Sequence, residues 1–202
     1  MKNHFLLFIF FLLHISAFFL FAQKLDPGDG VRLTFFNISE EISGDYFVQQ
    51  NNILQLPYVG LIKLDSVEYS MLKKDIVAKY DSLYRGVEII VSPLYKINVL
   101  GEVRSPGVYY VTGVEKLLDV IAMAGGETED SDMSEILVQR KDDTLDFDAE
   151  DIIRGGENAE DFYLKSGDRI YVTRKWWVSG QNTTFLFTAA SLLVTIYAVF
   201  TR

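Results

Sequence analysis

Val99-Leu-Gly-Glu-Val-Arg-Ser-Pro-Gly-Val-Tyr-Tyr-Val111, running on to Ala124-Gly125-Gly126, carries almost complete punctuation for one folded unit. Ile97, Val99 and Val103 alternate with Lys96, Asn98 and Glu102, the period of a half-buried strand. Ser105-Pro106-Gly107 joins proline's fixed φ to glycine's tolerance of positive φ, which predicts a type II turn. Val108 to Val111 is the returning strand. Thr112-Gly-Val-Glu115 has the form of a capping box, predicting a helix with Val114, Leu117, Leu118 and Ile121 on one face. Gly125-Gly126 then supplies a left-handed stop.

Further strands and one longer helix lie around this stretch. Val31, Leu33 and Phe35 alternate behind a Pro27-Gly28-Asp29 turn, and Phe47-Val48 and Ile53 to Leu56 flank a turn in Gln49-Gln-Asn-Asn52. Ser66 is placed to cap a helix with Tyr69, Leu72, Ile76, Tyr80 and Leu83 on one side, ending at Gly86. Val87, Ile89 and Val91 form a strand that Ser92-Pro93 should terminate. Ile136 to Arg140, a Lys141-Asp-Asp143 turn and Thr144 to Asp148 make a second hairpin. Asp151 to Asn158 reads as a short helix and loop broken by Gly155-Gly156. Leu25-x-x-Gly28-Asp29-x-Val31 is echoed by Leu164-x-x-Gly167-Asp168-x-Ile170. Glycine permits the reversal and Asp bonds back to the turn's own amides, so the echo is turn chemistry entering a strand.

Composition excludes several functions. The net charge is −9 and no basic stripe is present, which argues against nucleic acid. Residues 127–161 hold fourteen acidic side chains against Arg140, Lys141 and Arg154, so the remainder is close to neutral. Much of that run alternates with apolar residues such as Leu145 and Phe147 and lacks EF-hand spacing, so it reads as a solvated strand face and loops. There is no cysteine, and both histidines, His4 and His14, fall in the apolar N-terminal segment. With that segment removed, a thiol nucleophile, a Ser-His-Asp triad and most zinc or copper sites have no residues to build them. No GxxxxGK[ST] loop occurs. The chain is expected to be no enzyme, with no catalytic residue, no cofactor and no metal. Tyr58, Tyr109 and Tyr110 are conceivable sugar-stacking positions, but Tyr109 and Tyr110 fall on opposite strand faces, which places at least one in the core.

Both ends are apolar. Met1 to Ala22 has the pattern of a secretory signal, with an uncleaved anchor as the competing reading. The run from about Thr183 to Thr201 has no charge and as a helix reaches roughly 27 Å, enough for a thin bilayer. Trp176 and Trp177 precede it and suit either a membrane–water interface or burial against the domain. Within it Thr184, Thr188, Ser191, Thr195 and Ala198 recur at intervals of four and three, forming one stripe of small and hydroxylated side chains. Such a stripe favours helix–helix packing or the lining of a ring around water, the simple alternative being a single-pass anchor.

The strand, proline turn, strand and helix closed by Ala-Gly-Gly resemble the SLBB domain, a β-grasp-like module. Leu25-Asp-Pro-Gly28-Asp29, Leu54-Gln-Leu-Pro57-Tyr-Val-Gly60 and Val87 to Val91 resemble the N-terminal domain of Wza-type polysaccharide export proteins, which typically precedes an SLBB unit. The resemblance covers roughly residues 25 to 173. It implies an α+β chain: a signal over 1–22, a small export domain over 23–95, an SLBB domain over 96–173 and a juxtamembrane segment with a transmembrane helix over 174–202. It further implies a homo-oligomeric ring or channel in the outer membrane with periplasmic domains. The substrate would be capsular or exopolysaccharide and the partner an inner-membrane polysaccharide co-polymerase, often coupled to a tyrosine kinase. The pore-lining or helix-packing positions would be Thr184, Thr188, Ser191, Thr195 and Ala198. Many such proteins are anchored through an N-terminal cysteine that has no counterpart here, so membrane attachment is expected from elsewhere. Larger members carry more SLBB repeats, so a ring with one repeat would span less periplasm. The competing functions are a monomeric periplasmic ligand-binding module and an inner-membrane scaffold held by its terminal helix.

Overall fold

A computed structural model describes residues 24–38, 42–65, 67–154 and 162–178, together with Thr188 and Ser191. The chain divides into two compact units, Met1–Pro93 and Leu94–Arg202.

In the first unit β1 (Gly30–Phe35) pairs antiparallel with β2 (Gly44–Phe47), and its other neighbour is the start of β5 (Ile89–Gly101). Alternation decides which side chains are covered: Val31 and Leu33 are buried while Arg32 faces out and meets Asp45. β3 (Ile53–Leu56) and β4 (Gly60–Lys63) form a separate antiparallel hairpin. The turn before β3 lies in the asparagines as predicted. Asn52 takes φ 56° and its N–H donates to the Gln49 carbonyl at 3.0 Å.

Helix α1 (Tyr69–Leu83) buries Leu72, Ile76 and Tyr80, three residues one turn apart. Full burial of an aliphatic side chain of this size is worth about 1.5–3 kcal/mol. Leu83, expected on the same face, is half exposed in the last turn. Ser66 lies outside the described residues, and the N-cap position is taken by extended Glu68 without a side-chain bond. The buried Tyr80 hydroxyl donates to the Pro57 carbonyl at 2.9 Å, and its ring packs edge-on to Phe35.

The second unit is a mixed sheet in the order β6–β5–β9–β7–β8. β6 is Gly107–Val111, β7 Ser131–Arg140, β8 Asp143–Phe147 and β9 Arg169–Arg174. β5 and β9 run parallel and the other neighbours antiparallel. Two short helices, α2 (Leu117–Met123) and α3 (Ala149–Ile153), complete it. Tyr95, Ile97 and Val99 of β5, Ile136 and Val138 of β7, and Ile170 and Val172 of β9 form one buried layer, joined by Leu117, Val120 and Ile121 from α2.

Several local expectations are corrected. Ser92-Pro93 does not end a strand: β5 runs through it, because Pro93 precedes the β6 ladder, whose first pair is Tyr95 with Val111. The Pro106-Gly107 turn is not type II. Gly107 does not take positive φ and instead opens β6 opposite Val99, whereas Gly101 is left-handed at φ 84°. Val103 is buried but belongs to an isolated bridge with Glu127, the ladder having ended at Gly101. Helix α2 starts at Leu117 rather than in the Thr112–Glu115 box, so Val114 lies before it and is exposed. Helix α3 begins at Ala149, where Asp148 accepts the Asp151 N–H at 2.9 Å, two residues before the predicted start. Gly155-Gly156 lies outside the described residues.

Candidate functional site

The Ala-Gly-Gly stop of α2 closes as a double-bonded C-cap. The Gly126 N–H donates to Ile121 and the Gly125 N–H to Ala122, with both glycines left-handed. The carbonyls this leaves are used by the segment following β5: Ser105 N–H donates to Ala124 and Arg104 N–H to Gly126. The contact is close enough that a Cβ on Gly125 would stand 3.1 Å from that of Arg104. The strap continues through Glu102. Thr128 Oγ1 donates to the Glu102 carboxylate at 3.0 Å, and the Ser131 hydroxyl donates to the Glu102 carbonyl. At its far end Tyr109 Oη donates to the Ser105 carbonyl at 2.6 Å. The Thr112–Glu115 box forms, but as a loop lock: Glu115 accepts from the Thr112 and Gly113 N–H groups ahead of the helix.

The sequence echo is reproduced in three dimensions. Asp29 Oδ2 accepts the Asp26 N–H at 2.8 Å, and Asp168 Oδ2 accepts the Lys165 N–H at 2.8 Å. Gly28 and Gly167 are left-handed, and both aspartates are buried. A buried carboxylate costs several kcal/mol unless it is paired. Asp168 is paired in fork geometry by Arg140, at 2.9 and 2.7 Å. Arg140 also donates to the Tyr163 carbonyl and lies 4.7 Å over the Phe162 ring. The arrangement locks β7 to the turn entering β9.

The acidic segment is distributed along β7, β8 and α3, and Asp143 and Asp146 project from an exposed edge strand. No group of three or more acidic or imidazole side chains converges on a metal position among the described residues. Tyr109 and Tyr110 are both half-buried, so neither is core, and Tyr58 is exposed at φ 59° beside Tyr84.

After β9 the chain is held against the start of β7. Arg174 pairs with Asp130 at 2.7 Å and with Glu102 at 3.4 Å, and the Lys175 N–H donates to the Asp130 carbonyl. The Asp130 carboxylate raises the affinity of the Arg174 guanidinium for its proton, chiefly through that hydrogen bond. Trp176 and Trp177 follow and are exposed.

Residues 95–172 match the SLBB domain. Two curated relatives, both named polysialic acid transport protein KpsD, of Escherichia coli, are 30% identical to this chain over 122 residues. That alignment covers 57% of this chain and 22% of each relative, so the chain spans about a fifth of the length of these relatives. The β5–β6 ladder, the α2 stop and the turn entering β9 therefore lie within the matched residues.

Of the five predicted pore-lining positions, Thr184, Thr195 and Ala198 lie outside the described residues. Thr188 and Ser191 are helical and exposed, and the Ser191 hydroxyl donates to the Thr188 carbonyl at 2.8 Å. Among the described residues no helix is long and apolar enough to cross a membrane. Sequence reasoning missed Gly101 and Arg140. A glycine ending an alternating run was available as a signal for the first, whereas Arg140 lies twenty-eight residues from Asp168 and left no local trace.

Proposed function

We propose that this chain is a non-catalytic subunit of a cell-envelope polysaccharide export system. The carrying observation is the SLBB match over 95–172 together with 30% identity to a polysialic acid transport protein. In this reading the first unit is an export domain, and the uncharged run from Thr183 is a transmembrane helix in the outer membrane. Subunits assemble as a ring whose Thr184, Thr188, Ser191, Thr195 and Ala198 stripe packs against neighbouring helices or lines the exit. Ser191, bonded to its own helix, needs no partner in hydrocarbon, and this suits a helix that must first insert and then assemble. Polymer passes through without chemistry at this subunit, and an inner-membrane polysaccharide co-polymerase delivers it.

The test is detergent extraction with particle imaging and membrane fractionation. Rings in the outer-membrane fraction are expected, and a monomer in the inner membrane overturns the channel reading. Replacing Thr188 and Thr195 together by Leu should reduce ring yield and secreted polymer several-fold. Unchanged rings and secretion would reduce the segment to a simple anchor.

A further inference from the structure

Trp176 and Trp177 are 60% and 48% exposed, and their rings meet edge to face at 5.9 Å. Exposed aromatic area of this size is unfavourable in water, and here it is not on a loose tail. The Lys175 N–H donates to the Asp130 carbonyl at 2.9 Å, and Lys175 Nζ donates to the Glu129 carbonyl at 2.8 Å. The Val178 N–H closes a turn onto the Lys175 carbonyl, and Arg174 is clamped by Asp130 and Glu102. Both indoles are thus presented by the SLBB domain itself.

What covers them follows from the neighbouring chain. From Trp176 to Thr201 no residue carries a charge, and the apolar run begins at Thr183, six residues after Trp177. Even fully extended, six residues reach only about 20 Å. An inserted run therefore brings both indoles close to a bilayer surface. Indole has an apolar body and one N–H donor, which makes the headgroup layer its preferred depth.

We propose that Trp176 and Trp177 form a fixed aromatic foot that seats the SLBB domain in the headgroup layer of a phospholipid bilayer. This rests on the membrane-anchored reading above. The attraction is the rings' own: Arg174 and Lys175 are already engaged by Glu102, Asp130 and the Glu129 carbonyl, so seating does not depend on anionic lipid.

The two residues are the only tryptophans in the chain, so intrinsic fluorescence reports on them alone. The full chain is reconstituted into phosphatidylethanolamine vesicles with or without phosphatidylglycerol. Some vesicles carry lipid brominated near the headgroup, others near the chain ends, and Trp176→Phe and Trp177→Phe assign the signals. The expected result is blue-shifted emission, stronger quenching by shallow than by deep bromines, and several-fold lower access to aqueous iodide than in urea. These should hold with either lipid composition. Chain that floats with vesicles yet shows iodide access and no bromine quenching overturns the foot while sparing the anchor. Shielding from both quenchers means that protein covers the rings, a second copy or the chain's own tail, and also overturns it. Stronger deep quenching places them in hydrocarbon and overturns the headgroup seat. Failure to float removes the anchor reading itself.

Discussion

Asp168 ties together two parts of the second unit. Its carboxylate is fully buried, caps its own turn and takes both arms of the Arg140 fork. Asp168→Ala leaves a partly buried guanidinium and a turn amide without their acceptor. Removing one partner of a buried pair costs about 3–5 kcal/mol, so loss of the second unit's cooperative melt is expected in circular dichroism of the full chain in detergent. The Arg32–Asp45 pair is the opposite case. Its hydrogen bonds from Arg32 hold the Asp45 carboxyl below its ordinary 3.8, yet both side chains are a third or more exposed. A depressed carboxylate stabilises above its unfolded-state pKa and loses that contribution as pH falls through the folded-state value. Solvent screening limits it to at most about 1 kcal/mol. Asp45→Asn should therefore lower stability slightly at neutral pH, and the gap from the parent should vanish in denaturant titrations well below pH 3.8.

At the scale of elements the strap from Gly101 to Ser105 is decisive, because it fastens the end of β5 to the stop of α2 and to β9. A Cβ on Gly101 would fall on the Val172 carbonyl, and φ there is 84°. At Gly107 the nearest atom is a Tyr109 ring carbon at 3.9 Å and no positive φ is required. Gly101→Ala should cost roughly 3 kcal/mol or more, combining overlap with left-handed strain, while Gly107→Ala costs under about 1 kcal/mol. Comparable melting points for the two variants would refute this assignment of roles. The contrast shows what was legible. Ile97 and Val99 announced β5 by local alternation, and the Gly125-Gly126 stop followed from local φ requirements. The echo of Leu25–Val31 in Leu164–Ile170 was legible for the same reason. What failed was set by distant neighbours. Pro93 is tolerated because of where β6 starts pairing, Gly107 lost its turn role to Gly101 because β9 lies alongside, and Arg140 was invisible until the chain closed on Asp168. The stripe from Thr184 to Ala198 was readable as a pattern, but one chain's spacing is silent about what it packs against.

For the whole molecule, the parts suit the proposed role of an export subunit. The region that matches the SLBB domain is locked by buried backbone and carboxylate bonds. In the proposed arrangement the indoles at its C-terminal edge and the uncharged run beyond them are the end that meets the membrane. Acid concentrated between residues 127 and 161 leaves β8 a charged edge strand, which resists unwanted pairing with other sheets. The proposed export of polymer is tested by surface polysaccharide in a host strain lacking this chain, with and without the full chain restored. Without the chain, surface polymer should be lost and polymer retained inside the envelope, and restoring the chain should reverse both. Undiminished surface polysaccharide in the strain without the chain would contradict it.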